Sequence, residues 1–323
     1  MPRMDGGGAG GWAAAVERGW PMNPPWPRQF SDPSPRSLTA GRAAASITDD
    51  GHNPPLDPRP ASPEVTAMPL SPTADLEARR AAEGAAGKRD YVRGVFSQIA
   101  PRYDLLNRVL SFNVDRGWRR VALAALGWSR RPAGTYLDLC AGTMDVAAAL
   151  VGHAGFHGDV VAADFAEPML RVGRHKVAGR PVAPVAADAL RLPLANEVVD
   201  GAVTAFGARN LADLDAGLRE VHRVLAPGAR FVILEFSTPR SAIVRGIYAL
   251  YFHNVLPAVG ALVSGHRTAY RYLPQSVATF PVQEELAARM RRAGFVDVSW
   301  RSLTLGIAAV HVGTRAAHGD AAR

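Results

Sequence analysis

From residue 90 onward the apolar positions fall into two alternating patterns, short unbroken runs and stretches with helical spacing, and the first 85 residues show neither. Helical spacing predicts a helix over 90–106 with a break at Pro101. It predicts a second over 114–126, with an apolar stripe of Trp118, Val121, Ala122 and Ala125. Strands are predicted at 135–139, 160–164, 182–186, 198–205 and 230–236, interleaved with helices at 145–151, 167–177 and 214–225. Strands that alternate with helices pair in parallel through right-handed crossovers, so an α/β sheet with helices on both faces is expected. Pro227-Gly228 is expected to stop the helix before the last of these strands. Then come a helical stretch from Ser241, a helix over 282–293 ended by Gly294, and strands at 296–303 and 308–314 that read as a hairpin on the sheet edge.

The apolar run over 247–263 does not read as a membrane span. His253, Asn254 and Pro257 interrupt it, and what remains is shorter than the ~20 residues a hydrocarbon core requires. Two readings stand: a buried helix pair covering the sheet, or an apolar wall that takes a lipid-like substrate or docks on an interface.

Composition separates the leader from the rest. Of 25 prolines, 14 lie in the first 72 residues, and Gly6-Gly-Gly-Ala-Gly-Gly11 and Asn53-Pro-Pro-Leu-Asp-Pro58 leave no periodicity on which a core could form. Residues 1–85 are therefore expected to be a disordered leader, 86–316 one doubly wound domain, and 317–323 a flexible tail. No secretory signal opens the chain. Arginines in the leader suit an organellar transit peptide, but Asp5, Glu17, Asp32, Asp49 and Asp50 do not, and an over-extended start accounts for the leader equally well.

The net charge of +8 is carried almost wholly by arginine, since Lys88 and Lys176 are the only lysines. No basic stripe forms beyond pairs such as Arg119-Arg120, so nucleic acid is excluded as a partner, whereas scattered arginines remain compatible with an anionic membrane surface. Cys140 is the single cysteine, which fits a reducing, cytoplasmic setting. It sits at an apolar strand end with no adjacent cation and reads as a packed residue, not a nucleophile. No His, Cys, Asp and Glu group has metal-ligand spacing, so no metal is expected.

The chemistry is concentrated in Tyr136-Leu-Asp-Leu-Cys-Ala-Gly-Thr-Met-Asp145 and in the run Val160-Val-Ala-Ala that ends on Asp164. A buried strand, a small-residue turn and an acid closing the next strand make the first half of a nucleotide-binding sheet, in which the acid accepts hydrogen bonds from both ribose hydroxyls. Gly142 and Asp164 are 22 residues apart, near the expected spacing of about 20. The G-x-G-x-x-G loop that holds a pyrophosphate is absent, which favours an adenosine cofactor without phosphates, such as S-adenosylmethionine.

Five further segments, in order, resemble the ubiquinone/menaquinone biosynthesis C-methyltransferases. They are Val95-Phe-Ser-Gln-Ile-Ala-Pro-Arg-Tyr-Asp-Leu-Leu-Asn107; Asp188-Ala-Leu-Arg-Leu-Pro193; Thr204-Ala-Phe-Gly-Ala-Arg-Asn210, followed by the stretch from Leu218 to Ser237; the stretch from Ser264 to Pro281; and Leu303-Thr-Leu-Gly-Ile-Ala-Ala-Val-His311. The resemblance implies a Rossmann-like, seven-stranded S-adenosylmethionine-dependent methyltransferase sheet with N-terminal helices, and methyl transfer to a ring carbon of a polyprenylated quinol. Demethylmenaquinol is the main acceptor it implies and a polyprenyl methoxy-benzoquinol the alternative. Peripheral attachment to the inner face of a membrane, and assembly as a homodimer or in a quinone-pathway complex, are further expectations.

Carried over by position, Asp138, Gly142 and Thr143 belong to the cofactor turn, Asp164 holds the ribose, Asp188 and Ala189 bind the adenine, and Ala205 stands where the family often has serine. Phe206, His266 and Tyr270 are expected at the quinol head, although a structural role for the histidine and tyrosine also stands. Arg209 and Asn210 are the expected catalytic pair. A guanidinium stays protonated at ordinary pH, so Arg209 is expected to stabilise a phenolate or act through water; a surface salt bridge to Asp213 or Asp215 is the other reading. Asp104 either orients the leading helix or touches substrate. Met144 stands where relatives usually have glycine. It is expected at negative φ, packed beside the cofactor, and a scaffold that has lost catalysis through Met144 is the alternative.

Overall fold

The computed structural model describes residues 78, 80–82, 87–111, 113–250 and 267–317. In chain order its helices are α1 (Lys88–Ile99), α2 (Tyr103–Ser111), α3 (Val114–Leu126), α4 (Asp145–Val151), α5 (Glu167–Gly173), α6 (Leu214–Val224), α7 (Ala242–Leu250), α8 (Arg267–Thr279) and α9 (Gln283–Arg292). Its strands are β1 (Thr135–Leu139), β2 (Asp159–Asp164), β3 (Val182–Ala186), β4 (Val199–Ala205), β5 (Leu225–Phe236), β6 (Phe295–Leu303) and β7 (Ala308–Arg315).

Side-chain alternation along the central strands decides the layering. Tyr136, Val160, Ala162 and Val203 point to one face, under Trp118, Leu123 and Leu126 of α3 and Leu150 of α4. Leu137, Leu139, Val161 and Ala163 point to the other, under Leu218 and Val221 of α6 and Leu286 and Met290 of α9. Both faces are dry, which is why these strands read as unbroken apolar runs.

The sheet order is β3-β2-β1-β4-β5-β7-β6, with β1 to β5 parallel and β7 antiparallel to both β5 and β6. The seven strands and the late hairpin are as expected, and β7 inserts beside β5, leaving β6 as the edge. The chain leaves β1 towards β3 and returns to β4 on β1's other side, so the strand order reverses between β1 and β4. The carboxyl ends of parallel strands at such a reversal frame a crevice.

Three local expectations need correction. Pro227-Gly228 does not stop α6. The helix ends at Val224, β5 starts at Leu225, and the Pro-Gly pair lies in the irregular stretch where pairing jumps from Val199–Leu225 to Gly201–Arg230. The helix expected over 167–177 shortens to α5, followed by a 3-10 turn, Arg174–Lys176, that carries Lys176 back toward the β1 turn. The end of the leader also moves: Ala78, Ala81 and Ala82 are helical and buried, and Ala81 and Ala82 pack with Val92 of α1 and Tyr272 of α8. All described residues belong to one unit, Leu70–Arg323. The run over 247–263 begins on α7, and its residues 251–263 lie outside the described residues.

Candidate active site

At the carboxyl ends of β1, β2, β3 and β4 lies a cleft enclosing about 710 Å³, part of it open to solvent. Its floor is backbone and small side chains: Cys140 and Gly142 after β1, Ala163 and Asp164 on β2, Ala187 to Leu190 after β3, and Ala205 to Gly207 after β4. Phe96 of α1 and Tyr103 of α2 form the wall opposite, so the leading helices cover the crevice.

The turn after β1 holds three residues at positive φ: Cys140 (55°), Gly142 (53°) and Met144 (62°). The expectation for Met144 is thus overturned. Its backbone is left-handed, and its side chain, 0% exposed, joins the core cluster of Trp118, Ala147 and Leu150, not the cleft. Burial of the thioether offsets a strain that sequence alone assigned to the wrong sign of φ. The β1 and β4 turns touch here: a Cβ on Gly207 would stand 2.3 Å from that of Cys140. Burial pushes the Cys140 thiol well above its ordinary pKa, which leaves it unreactive.

Asp164 is 7% exposed and lines the cleft. Its Oδ2 accepts the Gly142 N–H at 2.8 Å and its Oδ1 the Ala166 N–H at 2.8 Å. Each oxygen keeps a lone pair for a further donor. Burial pushes this carboxyl up to about 6 against the pull of those two N–H groups. Asp188 also lines the cleft, accepting the Leu190 N–H at 3.0 Å through Oδ1 and pairing with Arg89 of α1 at 3.1 Å through Oδ2. Ala189 and Ala205 supply cleft wall beside it.

Asp138 and Thr143 are placed differently. Asp138 is buried behind the turn, where its Oδ2 accepts the Ala147 N–H at 2.9 Å and so caps α4 from the strand. Burial pushes its carboxyl up to about 7. Thr143 donates to Asp104 Oδ1 at 2.6 Å and accepts from Lys176 Nζ at 3.0 Å; Lys176 also reaches Asp104 Oδ2 (2.6 Å) and Asp145 Oδ1 (2.5 Å). Asp104 therefore orients α2 on the turn after β1. Burial raises its carboxyl pKa, and the Lys176 ammonium and Thr143 hydroxyl outweigh that and hold it below the ordinary range.

After β4, Phe206 takes φ 64° and packs against Phe236 with the rings tilted by 36° and 4.7 Å between ring centres. The next turn, Ala208–Asn210, carries the expected catalytic pair. Arg209 is buried, and its Nη1 donates to the Phe206 carbonyl at 2.5 Å and to Glu235 Oε1 at 2.7 Å. Its own N–H donates to Glu235 Oε2 at 3.3 Å, Lys88 Nζ donates to its carbonyl at 3.0 Å, and its guanidinium lies 5.5 Å from the Phe236 ring centre. The surface salt bridge is excluded, because Asp213 caps α6 through the Ala216 N–H and Asp215 pairs with Arg289. Asn210 lines the cleft and donates to the Phe206 carbonyl at 3.5 Å. His266 lies outside the described residues, and Tyr270 sits on the first turn of α8, described there by its backbone alone.

A family model covers residues 85–315, nearly all of the described chain. The chain belongs to the ubiE/COQ5 methyltransferase family. It is 49% identical over 223 residues to the demethylmenaquinone methyltransferase of Thermus thermophilus, covering 68% of this chain and 100% of that protein. It is 46% identical over 236 residues to the ubiquinone/menaquinone biosynthesis C-methyltransferase UbiE of Geobacter sulfurreducens, covering 71% and 90%. Against the demethylmenaquinone methyltransferase of Mycolicibacterium vanbaalenii it is 47% identical over 225 residues, covering 70% and 95%.

Within this family site the sequence reading passed over Glu235, Lys88, Lys176 and Tyr272. The two lysines carried a signal in their scarcity: a chain that uses arginine almost everywhere keeps lysine at two joints between the leading helices and the sheet, one buried and one half-buried. Glu235 carried another, being the one ionisable residue in the apolar run Phe231-Val-Ile-Leu-Glu-Phe236.

Proposed function

We propose that this chain methylates a ring carbon of a demethylmenaquinol, with S-adenosylmethionine as the donor. The observation that carries this reading is a cleft at the β1–β4 reversal bordered by both Asp164 and Asn210, with the buried Arg209 next to Asn210 in the chain, in a protein aligned over the full length of a demethylmenaquinone methyltransferase. The residues fit such a donor. Asp164 keeps two lone pairs for ribose hydroxyls, and Asp188 to Leu190 offer an adenine edge.

When bound, S-adenosylmethionine supplies a methyl group already activated by its sulfonium. The chain's residues then have to align the acceptor and exclude water. Phe96, Tyr103, Phe165 and Phe206 present apolar surface around the cleft and suit a flat aromatic head. A guanidinium only donates, so the part of Arg209 is to favour the ionised acceptor hydroxyl, with the proton released to water. Glu235 balances the guanidinium's charge and fixes its direction. Met144 gives no ground for a scaffold without catalysis, since its side chain is in the core and leaves the cleft open.

Among the described residues no helix is long and apolar enough to cross a membrane. Ile243 and Leu250 of α7 are 77% and 63% exposed, which supports docking on the bilayer that holds a polyprenyl acceptor.

The full chain, given methyl-labelled donor and a short-chain demethylmenaquinol under reducing conditions, is expected to yield the methylated naphthoquinol by mass spectrometry. Labelling of a methoxy-benzoquinol alone would shift the reading to the ubiquinone series. Labelling of neither would sink it.

A further inference from the structure

Three buried polar atoms near the Arg209-Asn210 turn have no hydrogen-bond partner among the described residues: Arg209 Nε, Asn210 Oδ1 and the Tyr272 hydroxyl. Folded proteins satisfy nearly all such atoms, so three of them in one region point to a ligand. Tyr272 comes from α8 and is 2% exposed. Its ring is tilted against Tyr91 at 5.7 Å between centres, in a small apolar cluster that Phe96 and Phe165 join. Both phenylalanines line the cleft, and so does Asn210. α8, which carries Tyr272, packs against the Ala208–Asn210 turn.

We propose that Tyr272, together with Arg209 Nε and Asn210 Oδ1, forms the seat for one ring oxygen of the methyl acceptor; this rests on the reading of that acceptor as a quinol. The donor set fits a phenolic oxygen. The guanidinium N–H and the tyrosine hydroxyl donate to it, and the Asn210 amide oxygen accepts its proton while the hydroxyl is neutral. Glu235 already neutralises Arg209, so the seat suits an uncharged hydroxyl on arrival and not a carboxylate or phosphate. Two donors against one acceptor then favour the ionised form once the proton has left to water. The adjoining Lys88 ammonium, held below its ordinary pKa by burial and by Arg209, is committed to the Arg209 carbonyl and steadies the turn without entering the seat.

The test uses the full chain, Tyr272→Phe, and three probes: a short-chain naphthalene-1,4-diol acceptor and its two monohydroxy analogues. A site built around a hydroxyl discriminates against molecules that lack it. In Tyr272→Phe the KM for the diol is expected to rise about tenfold. The inhibition constant of the analogue that keeps the seated hydroxyl should rise with it, and that of the other analogue should stay at the wild-type value. Calorimetric affinity for S-adenosylmethionine should not change. Comparing acceptors on one variant cancels any loss of folded protein. Equal penalties on all three probes, weakened cofactor binding, or no penalty at all would overturn the seat. A wild-type chain that binds the cofactor but never methylates the diol would instead overturn the quinol reading, and the seat with it.

Discussion

At the scale of single residues, Met144 sets strain against burial. A left-handed backbone costs a non-glycine residue roughly 1–2 kcal/mol, whereas complete burial of a methionine side chain contributes about 1.5–3 kcal/mol and its removal leaves a cavity besides. With φ 62° and 0% exposure, burial wins. Met144→Gly is thus expected to lower stability by about 1–2 kcal/mol in urea titration; a stabilised variant would mean that strain is the larger quantity. Asp164 yields a second expectation, this one in pH. Burial raises its carboxyl to about 6 in the ligand-free chain. A pKa higher folded than unfolded stabilises the fold below the unfolded value of about 3.9, and that contribution is lost as pH rises through 6. Cofactor binding runs the other way, because ribose hydroxyls donate to the ionised carboxylate. The calorimetric dissociation constant is expected to be flat above about pH 7 and to rise toward tenfold per unit below about 6. A flat profile down to about pH 5 would remove Asp164 from the ribose site.

At the scale of elements, the turn Ala208–Asn210 is held to β5 by a buried ion pair. Removing only the cation strands a buried carboxylate at a cost of about 3–5 kcal/mol, so rates measured on Arg209→Met alone would mix chemistry with unfolding. Glu235→Gln keeps an acceptor for the Phe236 N–H while losing the charge. Arg209→Met with Glu235→Gln is therefore expected to be about 2 kcal/mol more stable than Arg209→Met by itself, and its remaining rate loss reports the guanidinium's part in catalysis. Additive losses would show that the two side chains do not interact. Arg209 and Asn210 came from the family resemblance, and their turn follows a strand that ends at the crevice. Glu235 was hidden in a run that reads as core, and only the rule that a buried charge must be partnered would have exposed it. α8 was missed because Pro274 lies inside it, and with α8 went Tyr272. Alternation predicted the parallel strands to within a residue or two, except at β5, where an irregular stretch lets the strand absorb a Pro-Gly pair.

At the scale of the whole molecule, the boundary of the folded unit separates two truncations that composition alone treats as one. Proline and glycine density marks the beginning of the chain as unable to form its own core, but that reasoning averages over windows and misses a short alanine-rich helix whose packing is tertiary. Ala78, Ala81 and Ala82 are 0%, 4% and 7% exposed, and the Thr279 hydroxyl of α8 donates to the Ala82 carbonyl at 3.0 Å. Deleting residues 1–69 leaves this helix in place, and the shortened chain is expected to melt and turn over like the whole one. Deleting residues 1–85 removes three buried methyl groups and uncovers Val92 and Tyr272. At about 0.8 kcal/mol for each methyl, with the exposed partners added, the loss is on the order of 2–4 kcal/mol, or a melting temperature lower by about 5–10 °C. Because the uncovered face includes Tyr272, acceptor KM should rise in the longer truncation while cofactor affinity, set by Asp164 and the Gly142 turn, stays near the wild-type value. If both truncations melt and turn over alike, the alanine helix adds nothing to the fold, and the boundary belongs at 85 as composition first placed it.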